Sequence, residues 1–245
     1  PNRWIRRRAV LEIGWQNKRS LLPSLVKKVA ANEGQASLES LWALSLLGGL
    51  EEKLALEWLE HKDPHLRRWV VRLLGDKRTI SDTLAKALQS LAKREKDLEG
   101  LIQLAASAKR FPSGQGLPIL QTLADRSENS QDKRLPLMIW WGLESHCETG
   151  RTMLRDWYRK SDTWEQPVFR ETIAQRLMRR YAMAGGEKNL NSCADLLGSA
   201  PDQTAAKLLL TGLQLAFQGT SIPPLPKRLA KQMDDLAKKS GKNPL

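Results

Sequence analysis

Three histidines, two cysteines and scattered acidic and basic side chains are the groups in this 245-residue chain that could carry chemistry. His61 and His65 are four residues apart, a spacing that sets two imidazoles on one helical face for a metal ion. Asp63-Pro64 lies between them and marks a helix start, so a turn divides the pair. Both are expected to be solvent-facing turn histidines. His146 and Cys147 are adjacent and would point apart on a helix, and no second motif brings a thiol and an imidazole together. The chain contains no Cys-Xaa-Xaa-Cys-His, no Gly-rich phosphate loop, no Ser-centred nucleophile elbow and no strand-borne dinucleotide fingerprint. With only Cys147 and Cys193 present, a disulfide-rich scaffold and any Cys-based zinc or iron–sulfur site are excluded. No catalytic, cofactor-binding or metal-ligating residue is therefore assigned, and the chain itself reads as a non-enzyme.

The basic residues pose a sharper question. Forty Lys and Arg against 27 Asp and Glu give a net charge of +13, a balance that suits nucleic acid or an anionic surface. Arg6 to Arg8, Arg67-Arg68, Lys93-Arg94, Arg155, Arg159-Lys160 and Arg176 to Arg180 could line a concave stripe tracking phosphates. Trp4, Trp42, Trp69, Trp140 and Trp157 could interleave with them as stacking surfaces. The plainer alternative has the helix-start arginines pairing with acids or carbonyls of the next repeat, and the tryptophans in the core. Acidic residues such as Glu51-Glu52, Glu57, Glu60 and Asp234-Asp235 are interspersed, which favours the plainer alternative.

The elements that would position these residues follow a repeat. Asn2-Arg3-Trp4-Ile5-Arg6-Arg7 and Asp63-Pro64-His65-Leu66-Arg67-Arg68 are alike: a polar turn, an apolar residue, two arginines, then an amphipathic helix. The leading apolar residues of this first helix series are Ile5, Leu38, Leu66, Leu98, Leu135, Val168 and Ala206, spaced 28 to 38 residues apart. A second series, starting near Leu21, Leu54, Leu84, Leu117, Met153, Leu190 and Leu225, interleaves with it. Helical stripes are plain in Ile80, Leu84, Ala87, Leu88 and Leu91, and in Ala206, Leu209, Leu210, Leu213 and Phe217. Breakers are expected at Gly48-Gly49, Gly75, Pro112 to Gly116, Gly185-Gly186 and Pro223-Pro224. Leu135 to Trp141 is apolar nearly all round and predicts the most buried helix.

These patterns predict an all-α superhelix, a HEAT-like solenoid of about seven helix pairs. Residues 1–220 form the repeat domain, and 221–245 a final helix and tail leading toward a missing C-terminal region. The first residue is Pro1 and neither end reads as a polar cap, so the chain is expected to be cut from a longer protein. No apolar run is long enough to span a bilayer, and a monomer is expected.

Several segments in order resemble the HEAT-repeat portion of the bacterial putative membrane-bound dehydrogenases. They are residues 2–7, Leu38 to Gly49, Asp63 to Asp76, Leu135 to Glu144 and Arg176 to Ala182, and the similarity covers most of residues 1–220. Proteins of that family join a PQQ-type propeller related to glucose/sorbosone dehydrogenases, a helical repeat region and a c-type cytochrome. The resemblance implies that PQQ and haem c belong to neighbouring domains and that this chain holds no cofactor. It implies a scaffold or spacer that positions the propeller relative to the cytochrome, in the cell envelope or periplasm, with those two domains as protein partners. Two other readings stay open. One is a HEAT-like alkylpurine DNA glycosylase or another nucleic-acid-binding solenoid, although Asp63, Asp76, Asp97 and Asp132 all fall where helix capping explains them. The other is a protein-interaction solenoid whose groove takes an acidic peptide.

Overall fold

The computed structural model describes residues 2–31 and 34–240, and every regular element among them is helical. The first series is α1 (Arg3–Trp15), α3 (Gln35–Leu46), α5 (Pro64–Asp76), α7 (Leu98–Ala108), α9 (Leu135–Ser145), α12 (Ala174–Ala184) and α14 (Gln203–Phe217). The second is α2 (Leu22–Ala31), α4 (Glu52–Trp58), α6 (Asp82–Arg94), α8 (Ser113–Ala124), α10 (Arg151–Tyr158), α13 (Gly186–Leu197) and α15 (Lys227–Ser240). A one-turn helix α11 (Ser161–Glu165) and a π-helical turn (Val168–Ile173) lead into α12. The two interleaved series therefore match the periodic pattern of apolar residues. Aspartates and other short polar residues start these helices as the sequence predicts. Asn2, Asp63, Ser81, Asp97 and Asp202 each accept a hydrogen bond from a backbone N–H two or three residues on.

The chain divides into two compact units, one ending at Pro112 and the other beginning at Ser113. In the first unit α1, α3, α5 and α7 pack in succession, with α2 against α3, α4 against α5 and α6, and α6 against α7. Its core includes Leu41, Leu44, Trp58, Leu66, Leu74 and Leu88. In the second unit α9 packs on the π turn and α12, and α12 on α14, while α8, α10, α13 and α15 follow one another alongside. Its core includes Leu120, Ile139, Phe169, Tyr181, Cys193 and Leu209. Each unit is thus an all-α stack in which helices lean on their neighbours, the packing logic of a solenoid.

Three expectations are corrected. Gly75 is not a breaker; it lies inside α5, where a Cβ would come within 2.6 Å of Ser107 Oγ on α7. The glycine lets α5 and α7 approach, and the Ser107 hydroxyl donates to the Val71 carbonyl at 3.0 Å. The stretch Pro112 to Gly116 does not interrupt the chain beyond Pro112, because α8 begins at Ser113 and runs through Pro118. The buried stripe Leu117, Leu120 and Leu123 outweighs the poor helix propensity of Gly114, Gly116 and Pro118. Finally, α9 is not buried all round. Trp141 is 50% exposed, and Leu137 and Met138 are half-buried. A helix packed in a repeat stack keeps one side free, however apolar its sequence.

Helix α1 buries none of its residues, and Trp4, Ile5 and Trp15 are exposed.

Candidate functional site

The residues first considered for chemistry are drawn into structural roles. His61 Nδ1 accepts the Asp63 backbone N–H at 3.1 Å, and His65 sits across the turn in the first turn of α5. Among the described residues no group of three or more His, Cys, Asp or Glu could hold a metal ion. His146 and Cys147 follow the end of α9 and both are buried. Burial pushes both the Cys147 and the Cys193 thiols up to about 12, so neither forms a thiolate near neutrality.

One cluster escaped the sequence pattern. The Ser113 hydroxyl lies 3.2 Å from His146 Nδ1 and 2.6 Å from Thr149 Oγ1. A serine beside an imidazole resembles a nucleophile and its base. Here, however, Ser113 is the first residue of α8, and the contact joins the start of that helix to the end of α9. The contact ties the first residue of α8 to the residue that follows α9. Its 33-residue separation is one repeat, and no local motif could have revealed it.

The arginines repeat the same logic at larger scale. Arg67 lays its guanidinium across Glu95, with Nε and Nη2 each 2.7 Å from a carboxylate oxygen, and its Nη1 donates to the carbonyls of His61 and Lys62. Glu95 is 3% exposed and further accepts the backbone N–H groups of Lys96 and Asp97. Burial alone would raise the Glu95 carboxyl, but Arg67 and those N–H groups together hold it below its ordinary value. Arg6 meets Glu39 at 2.8 Å, Arg94 meets Glu60, and Arg110 meets Asp76. In the second unit Arg170 meets Asp202 at 2.7 Å, while Arg159 and Arg228 share Asp195. Arg151 reaches Glu148, Asn189 and Ser192 and stacks 5.2 Å from the Tyr181 ring. Partners 28 to 38 residues apart recur in these pairs, which are ties from one repeat to the next.

The tryptophans divide similarly. Trp140 and Trp157 are buried, and the Trp157 indole donates to Asp125 at 3.1 Å. Trp42 and Trp69 are half-buried and meet edge to face, their ring centroids 4.7 Å apart, which joins α3 to α5. Of the five tryptophans proposed as stacking surfaces, Trp4 is the exposed one.

Two clefts lie in the second unit. One, of about 230 Å³, is lined mainly by apolar residues between α14 and α15, including Phe217, Leu225 and Met233. The other, of about 430 Å³, lies on α9 and α12. Its lining includes Trp140 and Glu144 from α9 and Arg176, Arg179, Arg180 and Met183 from α12. Positions 176, 179, 180 and 183 fall on one helical face. Arg180 is 3.8 Å from Glu144, and Arg176 donates to the Thr172 carbonyl at 2.8 Å. Three arginines thus line a cleft that holds one carboxylate, together with Trp140 and Met183. The lining is rich in positive charge, with three arginines to one carboxylate.

No protein-family model, curated protein or solved structure matches the chain. Among the described residues, no helix is long and apolar enough to cross a membrane. The fold is all-α and solenoid-like in each unit.

Proposed function

We propose that this chain is a non-catalytic helical-repeat scaffold and that it serves as a spacer within a larger redox protein. The observation that carries the scaffold reading is the set of arginine–acid ties spanning one repeat, of which Arg67–Glu95 is the most enclosed. Side chains that could have formed a reactive site instead hold adjacent helices in register. The redox context rests on the ordered sequence segments that resemble the repeat region of membrane-bound dehydrogenases. In that setting the chain fixes a propeller relative to a c-type cytochrome in the cell envelope, and stiffness matters because electron transfer falls steeply with distance.

The gene itself supplies the first test. A Cys-Xaa-Xaa-Cys-His downstream in the same reading frame supports the spacer; a stop codon directly after Leu245 with an initiator Met directly before Pro1 contradicts it. The second test lengthens the repeat region of the intact protein by one helix pair and measures electron transfer from substrate to cytochrome. The spacer reading expects turnover to fall, and unchanged turnover removes it.

A further inference from the structure

The cleft on α9 and α12 has a feature that the scaffold role alone does not explain. Elsewhere in the chain several arginines meet a carboxylate from an adjoining repeat, as Arg67 meets Glu95 and Arg170 meets Asp202. At this cleft Arg176, Arg179 and Arg180 face one carboxylate, Glu144. Even that pair is long, at 3.8 Å, beyond direct hydrogen-bonding distance. Arg179 is exposed, and among the described residues it makes no ion pair. An excess of guanidinium groups is thus held beside apolar surface from Trp140 and Met183.

We propose that this cleft is the docking site for an acidic peptide segment of a partner protein, one carrying at least two carboxylates beside an apolar residue. This rests on the scaffold reading only in taking the cleft as a place of binding, not of reaction. Planar guanidiniums match carboxylates in a two-pronged geometry, and the cleft already accommodates one carboxylate from its own wall. The apolar residue of the peptide would lie against the exposed Met183. Nucleic acid fits less well. Trp140 is 6% exposed and offers no ring face to a base, and Glu144 repels a phosphate chain.

The test uses the full chain and a fluorescein-labelled peptide, Gly-Glu-Leu-Glu-Glu-Gly, followed by anisotropy. The controls are the same peptide with Gln for Glu, a single-stranded oligonucleotide and inorganic phosphate. The acidic peptide should bind, and the Gln peptide should bind at least about tenfold more weakly. R179Q, which alters an exposed side chain, should weaken binding, and R176Q/R179Q should weaken it by at least about tenfold. E144Q should tighten binding, because it removes the competing carboxylate. Circular dichroism of each variant shows whether it is folded, and R179Q keeps the test open if the double variant is not. Equal binding of the acidic peptide to wild type and R179Q, or no binding to wild type, overturns the proposal. So does an oligonucleotide or phosphate that binds with the same arginine dependence. None of these outcomes touches the scaffold reading, which is tested by the flanking gene and by electron transfer.

Discussion

At the scale of single residues, Glu95 shows how a charged side chain is spent on architecture. Its carboxylate is almost fully enclosed, yet it has Arg67 on one side and two backbone N–H groups on the other. Removing one member of a buried pair strands the other. Glu95→Gln should therefore cost about 3 kcal/mol in urea unfolding, the lower end of the range for such pairs, because the Arg67 side chain keeps 18% exposure. The pH dependence has a definite sign. The folded-state carboxyl titrates below its ordinary value of 4.5, so the pair stabilises the fold above that pH and is lost as pH falls through the lower folded value. The stability gap between wild type and Glu95→Gln should be constant above about pH 5 and shrink in more acid solution. A gap that is flat down to pH 3 would show that the carboxylate is not held as described.

At the scale of elements, close helix contacts depend on particular small residues. A Cβ at Gly212 of α14 would sit 2.4 Å from the Gln175 backbone oxygen, whereas one at Gly114 in α8 would meet nothing within 4 Å. Replacing a helical glycine by alanine ordinarily stabilises by about 0.5–1 kcal/mol. Thermal unfolding should accordingly show Gly114→Ala as stabilising, while Gly212→Ala should destabilise by about 1–3 kcal/mol through overpacking. A stabilising Gly212→Ala would mean that α12 and α14 are not in contact there. This contrast also marks what the sequence can and cannot reveal. Helix positions were legible because Leu84, Leu88 and Leu91, for example, recur at helical period and are buried. Gly75 reads as a breaker in the sequence because its reason for being glycine, Ser107, lies 32 residues away. The Ser113–His146 contact is hidden likewise, since its residues lie 33 apart, whereas Arg176 to Arg180 and Trp140 are legible as candidates and only their grouping with Glu144 is not. Trp141 was misplaced because an apolar sequence does not say which side of a helix remains open.

At the scale of the whole molecule, stability is a sum of contacts between neighbouring helices within each unit. Such a stack should loosen locally when one layer is damaged, while a single cooperative globule loosens everywhere. Amide hydrogen exchange of the full chain carrying Leu209→Ala tests this directly. Leu209 is fully buried in α14, and its truncation should cost about 2–5 kcal/mol. Protection should be lost in α12, α14 and their immediate neighbours and retained in α3, α5 and α7 of the other unit. An equal loss of protection along the entire chain would contradict the stacked-repeat scaffold on which the functional proposal stands.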